Sequence, residues 1–386
     1  MDSKQRSRPS PMLPILDLSY ANDPSRHHVL LEQLHDALFN VGFLYIKNHC
    51  VSAETISNLV TKLPKLFDQP NEVKAALSKL NSPHFLGYSG FAEETTLGEK
   101  DLREQFDFAS ELPMIWKESS DIPVNNERAR DFTKLYWRLR GPNQWPREDL
   151  VPGFKKAYTE YHDALQALSH RFVHLVEEAF GIPVGTFDDF FLPRSGNLTN
   201  RNGDYMPPQH RIKLVKYPTS ADKSRGQGVG AHKDSSGWLT FLYQVGQEEG
   251  LEVVGANGDW TPAPPIEGTF VVNFGNAFEA ATEGAVKATV HRVKAPASTP
   301  NPRYSIPFFQ GLPLDLTVSE IRSYIPESVR KLRPKSESMK DNGAISSFLD
   351  PRWDSLGESQ LRKWIRSHED VGRKWYGDSV VNFYLQ

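Results

Sequence analysis

The sequence predicts a mixed α and β protein that has a jelly-roll core with helices around it. From Arg211 to Phe309 the chain carries short β-rich runs separated by Gly, Pro and Asn clusters, which is typical of an antiparallel sandwich or barrel. Before and after this region, apolar residues recur at helical spacing. We therefore expect helices to flank the β-rich core.

Short strands and helices alternate in the first part of the chain. The changing periodicities predict, in order, a strand at 14–17, a helix over 26–40, a strand at 43–47 and helices over 54–67 and 70–80. Between 81 and 143 the pattern weakens. There we expect mostly loop, with one strand near 105–108.

The most regular helical segment runs from about Phe154 to Phe180. Its apolar positions step by four and three alternately, and Gly181 supplies a stop signal. A coiled coil has the same spacing, but aromatic residues fill several seam positions and only one such segment exists. A helix packed against a sheet is therefore the favoured interpretation.

The C-terminal part returns to helical patterns, with a polar loop around 333–342 and a charged amphipathic segment over 361–376. The chain is expected to form one structural unit. Its predicted parts are a disordered tail (1–13), an N-terminal cap region (14–145), a long helix with its connection (146–206), a core (207–315) and a helical C-terminal extension (316–386).

Composition restricts the partners that the protein can have. Lys and Arg total 45 against 48 Asp and Glu, a net charge of −3 with no block of like charges, so nucleic acid and anionic membranes are not expected. The single cysteine, Cys50, excludes an intramolecular disulfide and suits a reducing compartment. No secretory signal or membrane-spanning stretch is evident. We expect a cytoplasmic protein that acts on a small molecule, and no protein partner is implied.

His232, Asp234 and His291 are the candidate metal ligands. His232 and Asp234 are separated by one residue at the entrance to a β-rich run, and alternate residues of a strand share one face. His291 lies in a later predicted strand, KATVHRV. Two imidazoles and one carboxylate on one side of a metal leave positions open for O2 and an organic ligand, as in non-heme Fe(II) oxygenases.

Other histidine pairs are weaker metal candidates. His368 and Asp370 repeat the His-x-Asp spacing, but they fall in a predicted helix, where residues i and i+2 do not face each other. His170 and His174 are one helical turn apart. The sequence indicates no third ligand for them, so we expect solvated helix positions.

Arg303 and Ser305 form a second i, i+2 pair, within the otherwise apolar run RYSIPFF. The guanidinium group of arginine binds a carboxylate through two hydrogen bonds and stays charged, and a serine hydroxyl adds a donor. A surface ion pair is the simpler alternative. A buried arginine would need an anionic partner, which a ligand carboxylate could provide.

These motifs resemble the isopenicillin N synthase-like family of Fe(II)/2-oxoglutarate-dependent dioxygenases. HKD, VVNFG, KATVHRV and RYSIPFF resemble the family's core, and PILDLS, VGFLYIKNH and LREQFDF resemble its cap region. The resemblance implies a double-stranded β-helix with Fe(II) bound by the three candidate ligands. It also implies that Arg303 and Ser305 hold the distal carboxylate of 2-oxoglutarate, with Tyr217 near this co-substrate.

The resemblance further implies an oxidoreductase that consumes O2 and 2-oxoglutarate, releases succinate and CO2, and is stimulated by ascorbate. Its organic substrate would be hydroxylated, desaturated or cyclised, in specialised metabolism. Candidate substrate-facing residues are Arg103, Phe108, Trp238 and Phe309.

Three alternatives remain open from the sequence. A related Fe(II) oxidase could use Arg303 and Ser305 to bind its substrate's own carboxylate and consume no 2-oxoglutarate. A catalytically silent protein could keep the fold to bind a small molecule, although it would not need the whole set of ligands. A zinc hydrolase could use the same metal ligands. The substrate, the type of oxidation, the oligomeric state and the role of the C-terminal extension do not follow from the sequence.

Overall fold

The computed structural model describes residues 13–119, 130–193, 205–219, 226–234, 237–255, 258–294, 301–332 and 354–386. The strands in these ranges are β1 (Ile15–Asp17), β2 (Phe43–Lys47), β3 (Gly87–Ser89), β4 (Thr95–Thr96), β5 (Glu99–Lys100), β6 (Glu104–Ala109), β7 (Arg211–Tyr217), β8 (Gln227–His232), β9 (Leu239–Val245), β10 (Leu251–Val254), β11 (Trp260–Pro262), β12 (Thr269–Phe274), β13 (His291–Lys294) and β14 (Arg303–Phe309).

The α-helices are α1 (His27–Asp36), α2 (Ala53–Val60), α3 (Leu63–Phe67), α4 (Asn71–Ala76), α5 (Phe154–Ala179), α6 (Asn276–Ala281), α7 (Val318–Ser323), α8 (Glu327–Arg330), α9 (Leu356–Ser367), α10 (Glu369–Tyr376) and α11 (Asp378–Leu385). Short 3-10 helices cover Leu18–Asn22, Lys79–Asn81, Leu135–Leu139 and Asp188–Phe190, and a π-helical turn covers Ala37–Val41.

Two sheets form the core of the fold. In the described residues the major sheet has eight strands in the order β1-β2-β12-β9-β14-β7-β6-β3, and the minor sheet has four in the order β11-β10-β13-β8. Only the β1–β2 pair is parallel among the described strand pairs of these sheets; the other pairs are antiparallel. Val215 and Val271 of the major sheet pack with Val229, Leu251 and Val293 of the minor sheet in one buried cluster. The jelly-roll fold class predicted from the sequence is confirmed.

The major sheet is covered on both faces, and its strands divide their side chains accordingly. On β14, Ile306 and Phe308 belong to the large hydrophobic core, whereas Ser305 and Pro307 line a cavity on the opposite face. This division follows the two-residue period of a strand. It separates a structural face from the face that can bind a ligand.

Helix α5 packs on the outer face of the major sheet. Its Phe172 meets Phe241 of β9 with ring centroids 5.6 Å apart, and Tyr161, Leu165 and Leu168 belong to the same core. The helix ends just before Gly181, which has a φ of +70° and so provides the left-handed residue common after helices. The prediction of a helix packed on a sheet is confirmed.

The predicted N-terminal helices are present but divided. The segment 54–67 forms α2 and α3, and the break coincides with Pro64 in the first turn of α3. Proline lacks an N–H and cannot continue a preceding helix, although it suits a first turn. The segment 70–80 forms α4 followed by a 3-10 turn, and the strand expected near 105–108 is β6.

The C-terminal helices α9–α11 form a small core of their own with Phe85 and Leu139 from the N-terminal half. The helical segment predicted over 361–376 is interrupted at His368, whose φ of −143° and ψ of 70° are not helical. The polar loop predicted at 333–342 and all but Leu13 of the predicted tail lie outside the described residues. Leu13 itself is buried, so the expectation of disorder is wrong for that residue. Of the described helices, none has the length and apolar character of a membrane span.

Candidate iron and co-substrate site

The structure brings the three predicted metal ligands together at one end of the minor sheet. His232 is the last residue of β8, and it lies directly opposite His291, the first residue of β13. Asp234 follows two residues after His232, and its Oδ1 lies 3.9 Å from Nε2 of His232 and 3.7 Å from Nε2 of His291. One ligand atom from each residue falls within 4.8 Å of the other two. This spacing allows all three to share one ion.

Backbone contacts orient both imidazole rings. Nδ1 of His232 lies 2.8 Å from the carbonyl oxygen of Gly230, and Nδ1 of His291 lies 3.0 Å from that of Thr289. A carbonyl only accepts, so each Nδ1–H donates and each Nε2 keeps a free lone pair. Histidine ligands are commonly held in this way by a hydrogen bond from the second ring nitrogen.

The carboxylate of Asp234 is held by two side chains that the sequence analysis did not identify. Its Oδ2 accepts hydrogen bonds from Oγ1 of Thr240 at 2.6 Å and from Nδ2 of Asn273 at 2.7 Å. These bonds leave Oδ1 facing the imidazoles. The signal for Asn273 was a polar residue within the apolar run VVNFG, a position that a buried strand fills only when the polar group has a partner.

Burial and charge set the protonation of these ligands. Burial lowers the pKa of His232 to about 3, and the neighbouring His291 acts in the same direction. Burial acts to raise the pKa of Asp234, but the two histidines and the bonds from Thr240 and Asn273 hold that pKa below its ordinary value. At neutral pH the site therefore offers a neutral His232 and a carboxylate, the forms that bind metal.

Arg303 is a buried cation without a carboxylate partner among the described residues. It pairs with Tyr217 across β14 and β7, and its guanidinium carbon lies 4.9 Å from the Tyr217 ring centroid. Nη2 donates to Oε1 of Gln244 at 2.9 Å, whereas the buried Nε and Nη1 have no hydrogen-bond partner in the described structure. A buried guanidinium stays charged and requires its donors to be matched. Ser305 is buried on the same face of β14.

A cavity of about 310 Å³ connects these groups. Its lining includes the three predicted metal ligands together with Tyr217, Arg303 and Ser305, and also Arg103 and Phe309, two of the four predicted substrate-facing residues.

Phe108 and Trp238, the other two predicted substrate-facing residues, lie in the hydrophobic core instead. Phe108 packs against Trp145 at 5.2 Å between ring centroids, and Trp238 against Phe278 at 4.2 Å. For Phe108 the reason is that neighbouring side chains of a strand point to opposite faces, whereas Trp238 precedes β9 and is not part of a strand. On β6 it is Asp107, beside Phe108, that lines a cavity.

The wall beside Arg103 is a buried network of ion pairs. Glu94 accepts hydrogen bonds from Lys79 and Arg103, both at 2.8 Å, and lies 2.7 Å from Nε2 of His368. Lys363, Trp364 and His368 of the C-terminal extension also line the cavity. Among the described residues, the His368–Asp370 motif belongs to no candidate metal cluster. His368 nevertheless forms part of the cavity wall, which was not predicted.

A second histidine cluster lies outside this cavity. Nε2 of His170 and Nε2 of His174 lie 2.9 and 2.8 Å from the same Oδ1 of Asp188. The ligand atoms of these three residues are close enough for a metal ion. Asp188 is a third group that the sequence analysis did not find, so any metal-binding experiment must control for this cluster.

Comparison with known proteins assigns the family. Residues 13–148 match the N-terminal region of non-haem dioxygenases in morphine synthesis, and residues 204–311 match the 2OG-Fe(II) oxygenase superfamily. The 2-oxoglutarate-dependent dioxygenase frbJ of Dothideomycetidae sp. is 38% identical over 369 residues, which cover 94% of this chain and 91% of the relative. The chain belongs to the 2OG-Fe(II) oxygenase superfamily.

Solved structures of similar proteins share the fold. A full-length Neurospora crassa protein, solved in complex with alpha-KG and thymine, has a TM-score of 0.62 at 23% identity, and the match covers 83% of this chain and 96% of that protein. A putative 2OG-Fe(II) oxygenase family protein from Caulobacter crescentus has a TM-score of 0.65 at 21% identity, with 92% of this chain and 100% of that protein covered.

As a member of the 2OG-Fe(II) oxygenase superfamily, the protein is an oxidoreductase that uses Fe(II) and 2-oxoglutarate. The predictions of the family, the enzyme class, Fe(II) and 2-oxoglutarate are confirmed, and stimulation by ascorbate stays a prediction. A small-molecule substrate fits the same family. Membership favours the 2-oxoglutarate-dependent enzyme over a silent binding protein or a zinc hydrolase.

Proposed function

We propose that His232, Asp234 and His291 hold the Fe(II) ion of this oxygenase, and that Arg303 and Ser305 bind the distal carboxylate of 2-oxoglutarate. The observation that carries the proposal is Arg303, a buried cation with two unmatched donors in the same cavity as the three ligands. A bidentate carboxylate would match both donors. Tyr217, beneath the guanidinium, would fix its orientation.

The donor set supports iron rather than a closed structural metal site. Two imidazoles and one carboxylate supply three ligands, and non-heme Fe(II) oxygenases use this set because positions remain for O2 and an organic ligand. A structural zinc site would be closed by a fourth protein ligand. The described residues offer no further His, Cys, Asp or Glu in this group.

Each protein group has a defined part in the proposed reaction. Bound Fe(II) would supply O2 activation coupled to the oxidative decarboxylation of 2-oxoglutarate to succinate and CO2. Thr240 and Asn273 hold the Asp234 carboxylate in position, and Gln244 holds Arg303. Residues of both sheets line the cavity, and the protein would also serve to keep water from the reacting groups.

The substrate is proposed to be a small organic molecule of specialised metabolism, which is hydroxylated, desaturated or cyclised. The relatives of this chain, 2-oxoglutarate-dependent dioxygenases of fungal secondary metabolism, support this class. Phe309 and Arg103 are the substrate-facing residues that the cavity supports. We also propose a cytoplasmic location, which the single cysteine supports. The division of the chain into five parts, predicted from the sequence, is proposed unchanged.

Metal binding tests the first half of the proposal. Fe(II) uptake without O2 is measured for the wild type, for His291→Ala and for Asp188→Asn, which disables the second histidine cluster. We expect His291→Ala to lose tight Fe(II) binding and succinate formation, and Asp188→Asn to retain both. Unchanged iron affinity in His291→Ala would refute the ligand assignment.

Co-substrate binding tests the second half. In Arg303→Met the affinity for 2-oxoglutarate should fall by about two orders of magnitude, since removing one partner of a buried charge pair costs roughly 2–5 kcal/mol. Arg292→Met is the matched control, because Arg292 pairs with Glu252 outside the cavity lining. If the protein were instead the related Fe(II) oxidase, it would turn over its substrate in the absence of 2-oxoglutarate, and that result would contradict the proposal.

A further inference from the structure

Lys363 is a cation of helix α9 that faces the cavity without an ion pair. In the described structure no carboxylate oxygen lies within ion-pair distance of its Nζ, which instead sits 4.8 Å from the Trp364 ring centroid. By contrast, Lys79 of the buried network contacts Glu94 at 2.8 Å and Asp107 at 2.7 Å. Among the described residues Lys363 is therefore a cation of this wall without a carboxylate partner.

The surroundings of Lys363 add further positive charge. Lys213 and Arg211 lie over the same Trp364 ring, at 5.6 and 4.5 Å from its centroid. Burial lowers the pKa of Lys363 to about 8, and the neighbouring charge of Lys213 acts in the same direction. Like charges held together in a cavity favour an anion between them.

Lys213 is only partly matched, because it shares its two carboxylates with Lys79. Its Nζ lies 3.8 Å from Glu94 and 3.6 Å from Asp107, beyond normal hydrogen-bond length. Both of these carboxylates make closer contacts with Lys79. The ammonium of Lys213 thus keeps hydrogen-bonding capacity toward a ligand.

This region extends from the main cavity, on the side away from Arg303. A smaller cavity of about 40 Å³ is lined by three cations and two carboxylates beside Phe309 and Trp364, but not by Arg303. The charged residues are Arg211, Lys213, Lys363, Asp107 and Asp234. Lys363 and Trp364 also line the main cavity. Lys363 thus lines a space that it shares with the rings of Phe309 and Trp364 and with Asp234, a proposed iron ligand.

We propose that Lys363 binds an anionic group of the substrate, with the apolar body of the substrate against Phe309 and Trp364. Asp107 and Asp234 line the same space and offset part of the positive charge around Lys363. A single negative charge therefore fits better than a doubly charged phosphate, so the substrate class is an aromatic or aliphatic carboxylic acid. This assignment rests on the proposed function, because the cavity is the same. It makes Lys363 a specificity-determining residue of the C-terminal extension.

Benzoate and benzamide are suitable probes, since they share shape and differ in charge. Their binding is measured by calorimetry to enzyme loaded with Fe(II) and saturating 2-oxoglutarate without O2, so that the Arg303 site is already filled. The variants are Lys363→Met, which removes the charge at similar length, and Lys363→Arg, which keeps it. Arg366→Met is the control, an exposed position on the same helix.

We expect the wild type, Lys363→Arg and Arg366→Met to prefer benzoate over benzamide. In Lys363→Met the affinity for benzoate should fall about tenfold or more, the effect of a lost charged hydrogen bond, while benzamide binding and 2-oxoglutarate binding stay unchanged. Equal binding of both probes to the wild type, or an unchanged preference in Lys363→Met, would overturn the Lys363 proposal alone. Failure of the wild type to bind 2-oxoglutarate would instead overturn the proposed function.

Discussion

Asp234 divides its two carboxylate oxygens between two tasks. Oδ2 is held by Thr240 and Asn273, which leaves Oδ1 near both imidazole Nε2 atoms. A ligand held in this way loses little conformational freedom when a metal binds. The hydrogen-bonding partners of a metal ligand commonly contribute about 10–100-fold to metal affinity.

Thr240→Val tests this contribution. The change removes one hydrogen bond to Asp234 at nearly constant volume, so Fe(II) affinity should fall by about tenfold while the fold is kept. Thr269→Val is the control, because the Thr269 hydroxyl bonds to the backbone of Ile266. Equal Fe(II) titrations for wild type and Thr240→Val would show that this hydrogen bond is unimportant for the metal.

Phe108 and Phe309 provide a contrast between core and cavity. Phe108 is fully buried in the core, so Phe108→Ala should lower the free energy of unfolding by about 3–5 kcal/mol without changing the relative rates on different substrates. Phe309→Ala should alter those relative rates and cost less stability. Denaturant melts and paired turnover measurements separate the two effects. A change of substrate preference in Phe108→Ala would contradict the assignment of Phe108 to the core.

At the scale of elements, the sequence predicts which helices and strands are present better than it predicts the residues at which they begin and end. Strands such as β2 and β7 are found where the apolar runs place them, and α5 begins at Phe154 as predicted. The sequence does not reveal which face of a strand meets the cavity when both faces are buried. For β6 the apolar Phe108 was predicted to face the substrate, whereas the polar Asp107 beside it lines the smaller cavity.

The strand β7 is preceded by a buried histidine with a pH-dependent effect on stability. Burial lowers the pKa of His210 to about 3, and its Nδ1 accepts a hydrogen bond from the Gly311 amide at 3.0 Å. The unfolded chain binds the proton more readily, so stability that is present above about pH 6.5 is lost as the pH falls below that value.

His210→Asn should remove this acid sensitivity in part. The wild type should lose up to about 1.4 kcal/mol of unfolding free energy per pH unit from this residue between roughly pH 6 and pH 4. The variant should start less stable and show a shallower slope in denaturant melts across that range. Parallel slopes for the two proteins would contradict a buried neutral His210.

At the scale of the whole molecule, the C-terminal extension completes the cavity. Lys363, Trp364 and His368 come from α9 and the residue after it, yet they line the same space as the metal ligands. The sequence could not predict this contact, because it depends on the path of the chain around Phe85 and Leu139. The convergence of the proposed metal ligands was predictable, because His232 and His291 lie on neighbouring strands of the jelly roll.

The most direct test of the central claim is an anaerobic crystal structure of the enzyme with Fe(II) and 2-oxoglutarate. We predict iron bound by Nε2 of His232, Nε2 of His291 and a carboxylate oxygen of Asp234, with the distal carboxylate of 2-oxoglutarate on Arg303. Iron bound by other residues, or a 2-oxoglutarate carboxylate that leaves Arg303 unmatched, would contradict it.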